Sequence, residues 1–145
     1  MKALLLFKIV PIFLFFVSFA QENPVKFTVS THQDTLFFLA KIEKGWHLYA
    51  AHLPHPNEGP LATEIIFNAS PNFQVKGAII EDKGIIKMDD AFGIDVKYFE
   101  NSTVFKQVIS KNSTESFNCS GTISYMVCND QKCIPLDYPF SVAIK

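Results

Sequence analysis

Residues 121–135 read Gly-Thr-Ile-Ser-Tyr-Met-Val-Cys-Asn-Asp-Gln-Lys-Cys-Ile-Pro, and this stretch decides how the chain folds around two of its cysteines. Ile123, Tyr125 and Val127 occupy alternate positions, which is typical of a β-strand with one buried face. Cys128 follows directly, and Cys133 stands just before the segment that leads into the next strand. The stretch therefore predicts a strand with two cysteines at its loop end, at one rim of a β-structure.

Alternating apolar residues recur along the rest of the chain, whereas no stretch carries a convincing apolar stripe of helical period over three turns. Many short strands at regular spacing, joined by turns rich in Gly, Pro, Asn and Asp, favour an all-β, immunoglobulin-like β-sandwich in a single domain. Proline-rich residues 51–60 are expected to be irregular. Further strands are expected at residues 25–30, 35–42, 46–50, 62–67, 73–77, 94–99 and 104–109, with a last strand that places Phe140, Val142 and Ile144 on one side.

Residues 1–20 have the features of a secretory signal peptide. Lys2 and Lys8 supply the basic start, an apolar run follows, and Ser18-Phe19-Ala20 forms a small-x-small cleavage site. Cleavage after Ala20 is expected, which leaves residues 21–145 as one exported domain. The apolar run is too short and too well terminated to be interpreted first as a membrane span.

The chain contains no arginine, and its formal charge is −1. Loss of Lys2 and Lys8 with the signal peptide would lower that charge by two units, to −3. Arginine supplies the bidentate fork that phosphate recognition usually needs, and no basic cluster replaces it. Nucleic acid is therefore not expected among the partners.

Cys128 and Cys133 admit two interpretations. A disulfide that closes so short a loop restricts the unfolded chain by only about 2 kcal/mol on the chain-entropy model, which weakens a purely bracing role. At an exposed rim it would be open to an attacking thiolate. The C-x4-C spacing differs from the C-x-x-C of thioredoxin, and no βαβ pattern surrounds it. Spacing alone leaves a structural hairpin-end disulfide and a redox-active one equally open.

The third cysteine, Cys119, is expected to be a free, inert thiol, because an extended path to Cys128 would span roughly 30 Å, far beyond disulfide reach. No metal or cofactor is expected, since the ligand spacing of zinc sites and the Met-rich clusters that would favour copper are both missing. His52 and His55 are interpreted as part of a solvated loop. The side chains that could offer soft ligand atoms to a metal ion are those of Cys128, Cys133, His52, His55, Met88 and Met126.

Several short motifs follow one another in an order that resembles a known family. They are Gly45-Trp-His-Leu-Tyr49, Gly59-Pro60, Asp89-Asp-Ala-Phe-Gly93 and Gly121-x-x-x-Tyr125-x-x-Cys128-x4-Cys133-x-Pro135. Their order and spacing are similar to those of the N-terminal periplasmic domain of the disulfide reductase DsbD. The resemblance spans nearly all of residues 21–145. It implies a periplasmic location and an immunoglobulin-like sandwich, which agrees with the strand pattern.

The resemblance also implies a mechanism and partners. Domains of that family receive two electrons from a thioredoxin-like partner, fed through a membrane-embedded domain, and pass them to oxidised periplasmic proteins through mixed disulfides. By motif position, Cys133 would form the mixed disulfide and Cys128 would resolve it. Because the printed sequence ends at Lys145, the membrane reductase is expected on a separate chain. The alternatives are a non-catalytic secreted binding module with a structural disulfide, and a metal-handling accessory protein.

Residues 89–93 match the cap loop of that family, in which an aromatic ring covers the cysteines until a partner displaces it. Phe92 would be the shield, because Ala91 occupies a position where an aromatic residue is expected. Asp89 and Asp90 would disfavour a nearby thiolate through like-charge repulsion. The alternative for this segment is an acidic β-turn with a core phenylalanine.

Trp46, His47 and Tyr49 match family positions on a strand that the resemblance is expected to bring close to the cysteines. Large aromatic side chains in a sandwich are more often core residues than site residues. Tyr49 is the preferred exception, because its phenol could hydrogen-bond near the sulfur pair. His47 could titrate near neutral pH, but a solvated strand histidine is the favoured interpretation.

Overall fold

The computed structural model describes residues 23–145, which form ten β-strands. Within this range there is no helix of the length and apolar character needed to cross a membrane. In chain order the strands are β1 (Val25–His32), β2 (Thr35–Ile42), β3 (His47–Tyr49), β4 (Glu64–Phe67), β5 (Phe73–Ile80), β6 (Ile85–Asp89), β7 (Ile94–Phe99), β8 (Ser102–Lys111), β9 (Phe117–Cys128) and β10 (Cys133–Ile144).

The strands form two antiparallel sheets. One sheet has four strands in the order β1-β2-β8-β5. The other has six, in the order β10-β9-β3-β7-β6, with β4 paired to β9. The long hairpin of β9 and β10 keeps one register along its whole length, from Cys128 opposite Cys133 to Phe117 opposite Ile144.

The main core lies between the two sheets. In β2, Leu36, Phe38 and Ala40 are fully buried, and the residues between them are partly exposed. Leu48 of β3 and Val127 of β9 face them from the six-stranded sheet. Successive side chains of a strand point to opposite faces, so each sheet contributes every second residue to this core. The period-two pattern in the sequence is therefore the pattern of burial.

A second, smaller apolar cluster lies on the outward face of the six-stranded sheet. Because Leu48 and Val127 point into the main core, their neighbours Tyr49 and Cys128 point the opposite way. Both are buried there together with Val96 of β7. Partly buried side chains cover the three of them, and we call the whole group the outer cluster. The covering side chains are Leu53, Phe92, Ile94, Tyr98 and Met126.

The nine strands expected from the sequence all correspond to strands of the structure in approximate position, with two differences. The strand expected at residues 122–127 begins at Phe117 and runs through Gly121 without a turn. Strand β6 was not predicted, because Ile85, Ile86 and Met88 are all exposed and show no alternation. β6 pairs only with β7 at the edge of the six-stranded sheet, and none of its residues is buried, so it has no buried face for the sequence to reveal. Residues 51–60 are irregular, as expected. The predicted signal peptide lies outside the described residues.

Candidate functional site

Cys128 and Cys133 form a disulfide at the end of the β9–β10 hairpin. They are directly opposite each other in the register, with their Cα atoms 4.1 Å apart. Cys128 is the last residue of β9 and Cys133 is the first of β10. The bond therefore joins neighbouring strands of one sheet, at the strand–loop junction that the sequence predicted, and leaves the two sheets unlinked.

The four-residue loop between the cysteines has its own hydrogen bonds. The side-chain oxygen of Asn129 accepts the backbone N–H groups of Gln131 and Lys132, each at 2.9 Å. The N–H of Asn129 donates to the carbonyl of Lys132, also at 2.9 Å. Because these bonds do not involve sulfur, we expect the hairpin end to keep its turn when the disulfide opens.

The two cysteines differ in their surroundings. Cys128 is only 2% exposed and belongs to the outer cluster. Cys133 is exposed. An attacking thiolate must approach the sulfur it attacks, so Cys133 is the accessible partner of the pair and Cys128 the protected one.

A surface cleft of about 480 Å³ opens beside the disulfide on the outward face of the six-stranded sheet. Both cysteines line it, together with His47, Tyr49, Asp89 and Ala91. These residues come from β3, from β6 and the turn after it, and from the β9–β10 hairpin. The fold thus brings Tyr49, Asp89 and Asp90 of the sequence-predicted site to one cleft with the cysteine pair.

Asp89 ties the predicted cap segment to Tyr49. One carboxylate oxygen, Oδ2, accepts the Tyr49 hydroxyl at 2.9 Å, and the other, Oδ1, accepts the Ala91 N–H at 2.9 Å. The Gly93 N–H donates to the Asp89 carbonyl at 2.7 Å. Asp89 is thus the last residue of β6 rather than a loop residue, and it holds the turn that follows.

The Tyr49 hydroxyl is a persistent hydrogen-bond donor. Burial, with the hydrogen bond to Asp89 and the charge of that carboxylate, raises its pKa well above the usual value of 10.0. The phenol therefore stays protonated throughout the physiological pH range. The phenol that the sequence placed near the sulfur pair lies in the cleft with it and donates to Asp89.

Phe92 packs on the outer cluster that contains Cys128. Its side chain is half-buried, and its ring meets the Tyr49 ring edge-on, with the centroids 6.2 Å apart. Gly59 of the proline-rich loop supports this turn from behind. A Cβ at Gly59 would lie 2.7 Å from Cδ1 of Ile94 and 3.7 Å from Cβ of Phe92, and its φ of +86° also favours glycine.

His47 is not the solvated histidine that the sequence favoured. It is half-buried, lies directly opposite Cys128 in the register, and places Nε2 3.2 Å from the Tyr49 hydroxyl. Burial lowers its pKa, against the opposing charges of Asp89, Glu100 and Asp130. The alternation of residues along β3 does not predict the burial of His47, because residues of other strands cover its side chain. Trp46, by contrast, belongs to the main core.

Cys119 is a free thiol, as the sequence predicted, and the structure places it in the main core. Burial raises its pKa to about 11. We expect it to resist iodoacetamide at pH 8 in the folded protein and to react completely in denaturant, because an inaccessible neutral thiol is a poor nucleophile. Peptide mass spectrometry after each treatment measures this. Labelling of Cys119 in the native protein at the rate of an exposed thiol would contradict it.

Within residues 23–145, no group of three or more His, Cys, Asp or Glu side chains is arranged to hold a metal ion. His52, one of the soft ligands considered from the sequence, has its Nε2 2.7 Å from the carbonyl of Ile79.

Solved structures of several bacterial proteins share this fold. The N-terminal domain of Neisseria meningitidis DsbD in its reduced form is 16% identical, with a TM-score of 0.57 over 83% of this chain and 85% of that one. The same organism's DsbD N-terminal domain in a complex with the PilB N-terminal domain gives 17% identity and a TM-score of 0.60, covering 85% of each chain. The N-terminal periplasmic domain of ScsB from Proteus mirabilis is 19% identical, with a TM-score of 0.58. The match covers 87% of this chain but 49% of that one.

These likenesses confirm the predicted immunoglobulin-like β-sandwich. No curated protein sequence is significantly similar to the chain. A family model described as "Thiol:disulfide interchange protein DsbD, N-terminal" matches residues 17–143, which include every strand but the final residue of β10. The motif order, the sandwich and the cysteine pair at the hairpin end agree with this match, and the chain belongs to the family of DsbD N-terminal domains.

Proposed function

We propose that the disulfide between Cys128 and Cys133 is opened and re-formed in each working cycle, so that the domain relays two electrons from a thioredoxin-like donor to oxidised exported proteins. A donor thiolate attacks Sγ of Cys133 and displaces Cys128 as a thiolate. The second donor thiol then attacks the mixed disulfide, which leaves the donor oxidised and both cysteines reduced. The same two steps then occur in reverse, with an oxidised substrate protein in place of the donor. They return Cys128 and Cys133 to the disulfide.

The observation that carries this proposal is the unequal exposure of the two sulfurs beside a cleft. Cys133 is exposed, whereas Cys128 is buried in the outer cluster behind it. An incoming thiol can reach only Cys133, so the protected sulfur is the natural leaving group and later the resolving one. The hydrogen bonds of Asn129 support the same conclusion, because the loop does not depend on the disulfide for its shape.

The partner and the location are argued from the family. Domains of this family are periplasmic, and the ScsB relative is described as a periplasmic domain. One DsbD N-terminal domain has been solved with the N-terminal domain of PilB as its partner. For this chain we infer export after cleavage at Ala20, and a thioredoxin-like donor that docks at the cleft.

Reduction by a thioredoxin-like donor separates a working disulfide from a brace. We expect the oxidised domain to be reduced within minutes by a reduced thioredoxin-like protein, as followed by alkylation and mass shift. A bracing disulfide would have a potential below about −300 mV and would resist such a donor. Persistence of the disulfide under these conditions would overturn the proposal in favour of a secreted binding module with a structural bridge.

Trapping identifies the partner. In Cys128→Ser, the exposed Cys133 is expected to keep a partner in a stable mixed disulfide, because the resolving sulfur is gone. The complex should appear on a non-reducing gel of periplasmic extract and disappear on reduction. Cys133→Ser is the matched control and should trap nothing, since the remaining Cys128 is buried. Equal trapping by both variants would contradict the assigned division of labour.

A further inference from the structure

We propose that His47 is the group that takes the proton from the Cys128 thiol when Cys128 resolves a mixed disulfide held on Cys133. This inference rests on the proposed function and assigns a role in it to a residue that the sequence left as a solvated histidine. Three observations carry it: the position of His47 in the sheet, the hydrogen bonds that orient its ring, and the burial of Cys128.

His47, Cys128 and Cys133 form one row across three adjacent strands. Cys128 pairs with Cys133 in β10 on one side and with His47 in β3 on the other. Directly opposed residues of an antiparallel pair share a face, and their Cβ atoms lie about 4.5–5.5 Å apart. His47 also lines the cleft that contains both cysteines. The imidazole is therefore beside Cys128 on the outward face of the sheet.

The hydrogen bonds around His47 determine which ring nitrogen is free to accept a proton. The single hydroxyl hydrogen of Tyr49 is donated to Asp89, so the Tyr49 oxygen can only accept from His47. Nε2 of His47 therefore carries the hydrogen, and Nδ1 carries the lone pair. This tautomer follows from the hydrogen-bond network, in which Asp89 orients Tyr49 and Tyr49 orients His47.

Cys128 needs a nearby proton acceptor because of where it is buried. Tyr49, Val96 and Met126 surround it with mostly apolar surface, and such surroundings disfavour a thiolate. Water has little access to a residue that is 2% exposed. The lowered pKa of His47, caused by its burial, keeps the imidazole neutral at pH 7 and able to accept a proton.

The charged and titratable groups around His47 come from every neighbouring strand. Their net effect is to stabilise the positive charge of the His47 imidazolium once it forms, because the carboxylates outnumber the cations that line the cleft. On the strands, these groups are Tyr49 of β3, Lys87 and Asp89 of β6, Tyr98 of β7, Cys128 of β9 and Cys133 of β10. In the connecting segments, they are Asp90 after β6, Glu100 after β7 and Asp130 in the hairpin loop.

The resolving step moves one proton and two electrons. The S–H proton of Cys128 passes to Nδ1 of His47, and the resulting thiolate attacks Sγ of Cys133. The bond between Cys133 and the substrate sulfur breaks, and the substrate leaves as a thiolate with the electron pair. The imidazolium then returns its proton to solvent or to the departing thiolate. The two electrons gained by the substrate are those lost by the cysteine pair.

Ellman's reagent, a small aromatic disulfide, separates the two steps in chemically reduced protein. Attack by Cys133 releases one coloured thiolate, and attack by Cys128 on the mixed disulfide releases the second. In His47→Gln we expect the second phase to slow about a hundredfold at pH 7, the lower end of general acid–base effects. The wild-type second phase should also fall as the pH drops through the His47 pKa, below 6.5, and the variant should lack that inflection.

The controls separate a proton acceptor from a packing residue. The first phase, measured alone in a Cys128→Ser background, should be the same with and without His47→Gln. His32→Gln, on the exposed end of β1 in the other sheet, should change neither phase. Tyr49→Phe keeps the ring in the outer cluster but removes the oxygen that orients His47, and it should slow the second phase selectively.

An unchanged second phase in His47→Gln, or equal slowing of both phases at every pH, would overturn the inference. Because the assay begins with chemically reduced protein, it does not depend on the donor. Failure of the proposed function would appear instead as a disulfide that a thioredoxin-like donor cannot reduce.

Discussion

Replacing Phe92 with Ala is expected to increase the alkylation rate of reduced Cys128 by roughly tenfold to a hundredfold. Phe92 covers the outer cluster in which Cys128 is buried, with its ring edge-on to Tyr49. Truncating a packed phenylalanine removes apolar contacts worth up to a few kcal/mol, so local opening of the cluster becomes correspondingly more frequent. Cys133 should change little, because it is already exposed. Timed iodoacetamide labelling with peptide mass spectrometry reports each cysteine separately.

Phe37→Ala is a matched control for this experiment. Phe37 is also half-buried, but it lies on β2 of the four-stranded sheet, where its ring meets Lys106. That change should leave both cysteine rates as they are in the wild type. If Phe92→Ala also leaves the Cys128 rate unchanged while the protein stays folded, Phe92 is a packing residue of an acidic turn and the cap hypothesis fails.

Replacing Gly121 with Ala is expected to destabilise the domain by about 3 kcal/mol, roughly a hundredfold in the folding equilibrium constant. Gly121 is buried in the middle of β9, between β4 and β10. A Cβ there would overlap the backbone carbonyl oxygen of Ile66 and lie 2.9 Å from the ring of Phe140. Backbone cannot move aside as a flexible side chain can, so β4 would have to separate from β9. Urea unfolding of the oxidised protein measures the loss.

Gly45→Ala separates steric overlap from backbone conformation. Gly45 has a φ of +85°, but a Cβ there would have no neighbour within 4 Å. Its replacement should cost about 1 kcal/mol, the penalty of the left-handed region for a residue with a side chain. A loss at Gly121 no larger than the loss at Gly45 would show that β4 and β9 can adjust to the added methyl group.

The sequence by itself determined the fold class and the position of the cysteine pair. Strands such as β2 and β9 can be predicted from the sequence because alternate residues enter the core, and that alternation is local to each strand. The spacing of Cys128 and Cys133 likewise placed both at one hairpin end. Resemblance to the family supplied the segment at residues 89–93 and Tyr49, and the cleft contains Tyr49, Asp89 and Asp90 beside the disulfide.

Only the tertiary structure decided what surrounds the sulfurs. His47 and Asp89 lie 81 and 39 positions before Cys128 in the chain, and they meet near it because β3 pairs with β9 and β6 joins the same sheet through β7. The outward face of that sheet carries the outer cluster. A β-sandwich is expected to have a single core between its two sheets, so the sequence pattern does not predict this second buried group. Strand alternation assigns a residue to a face, but the register between distant strands chooses its neighbours. That register depends on how whole sheets pack and pair.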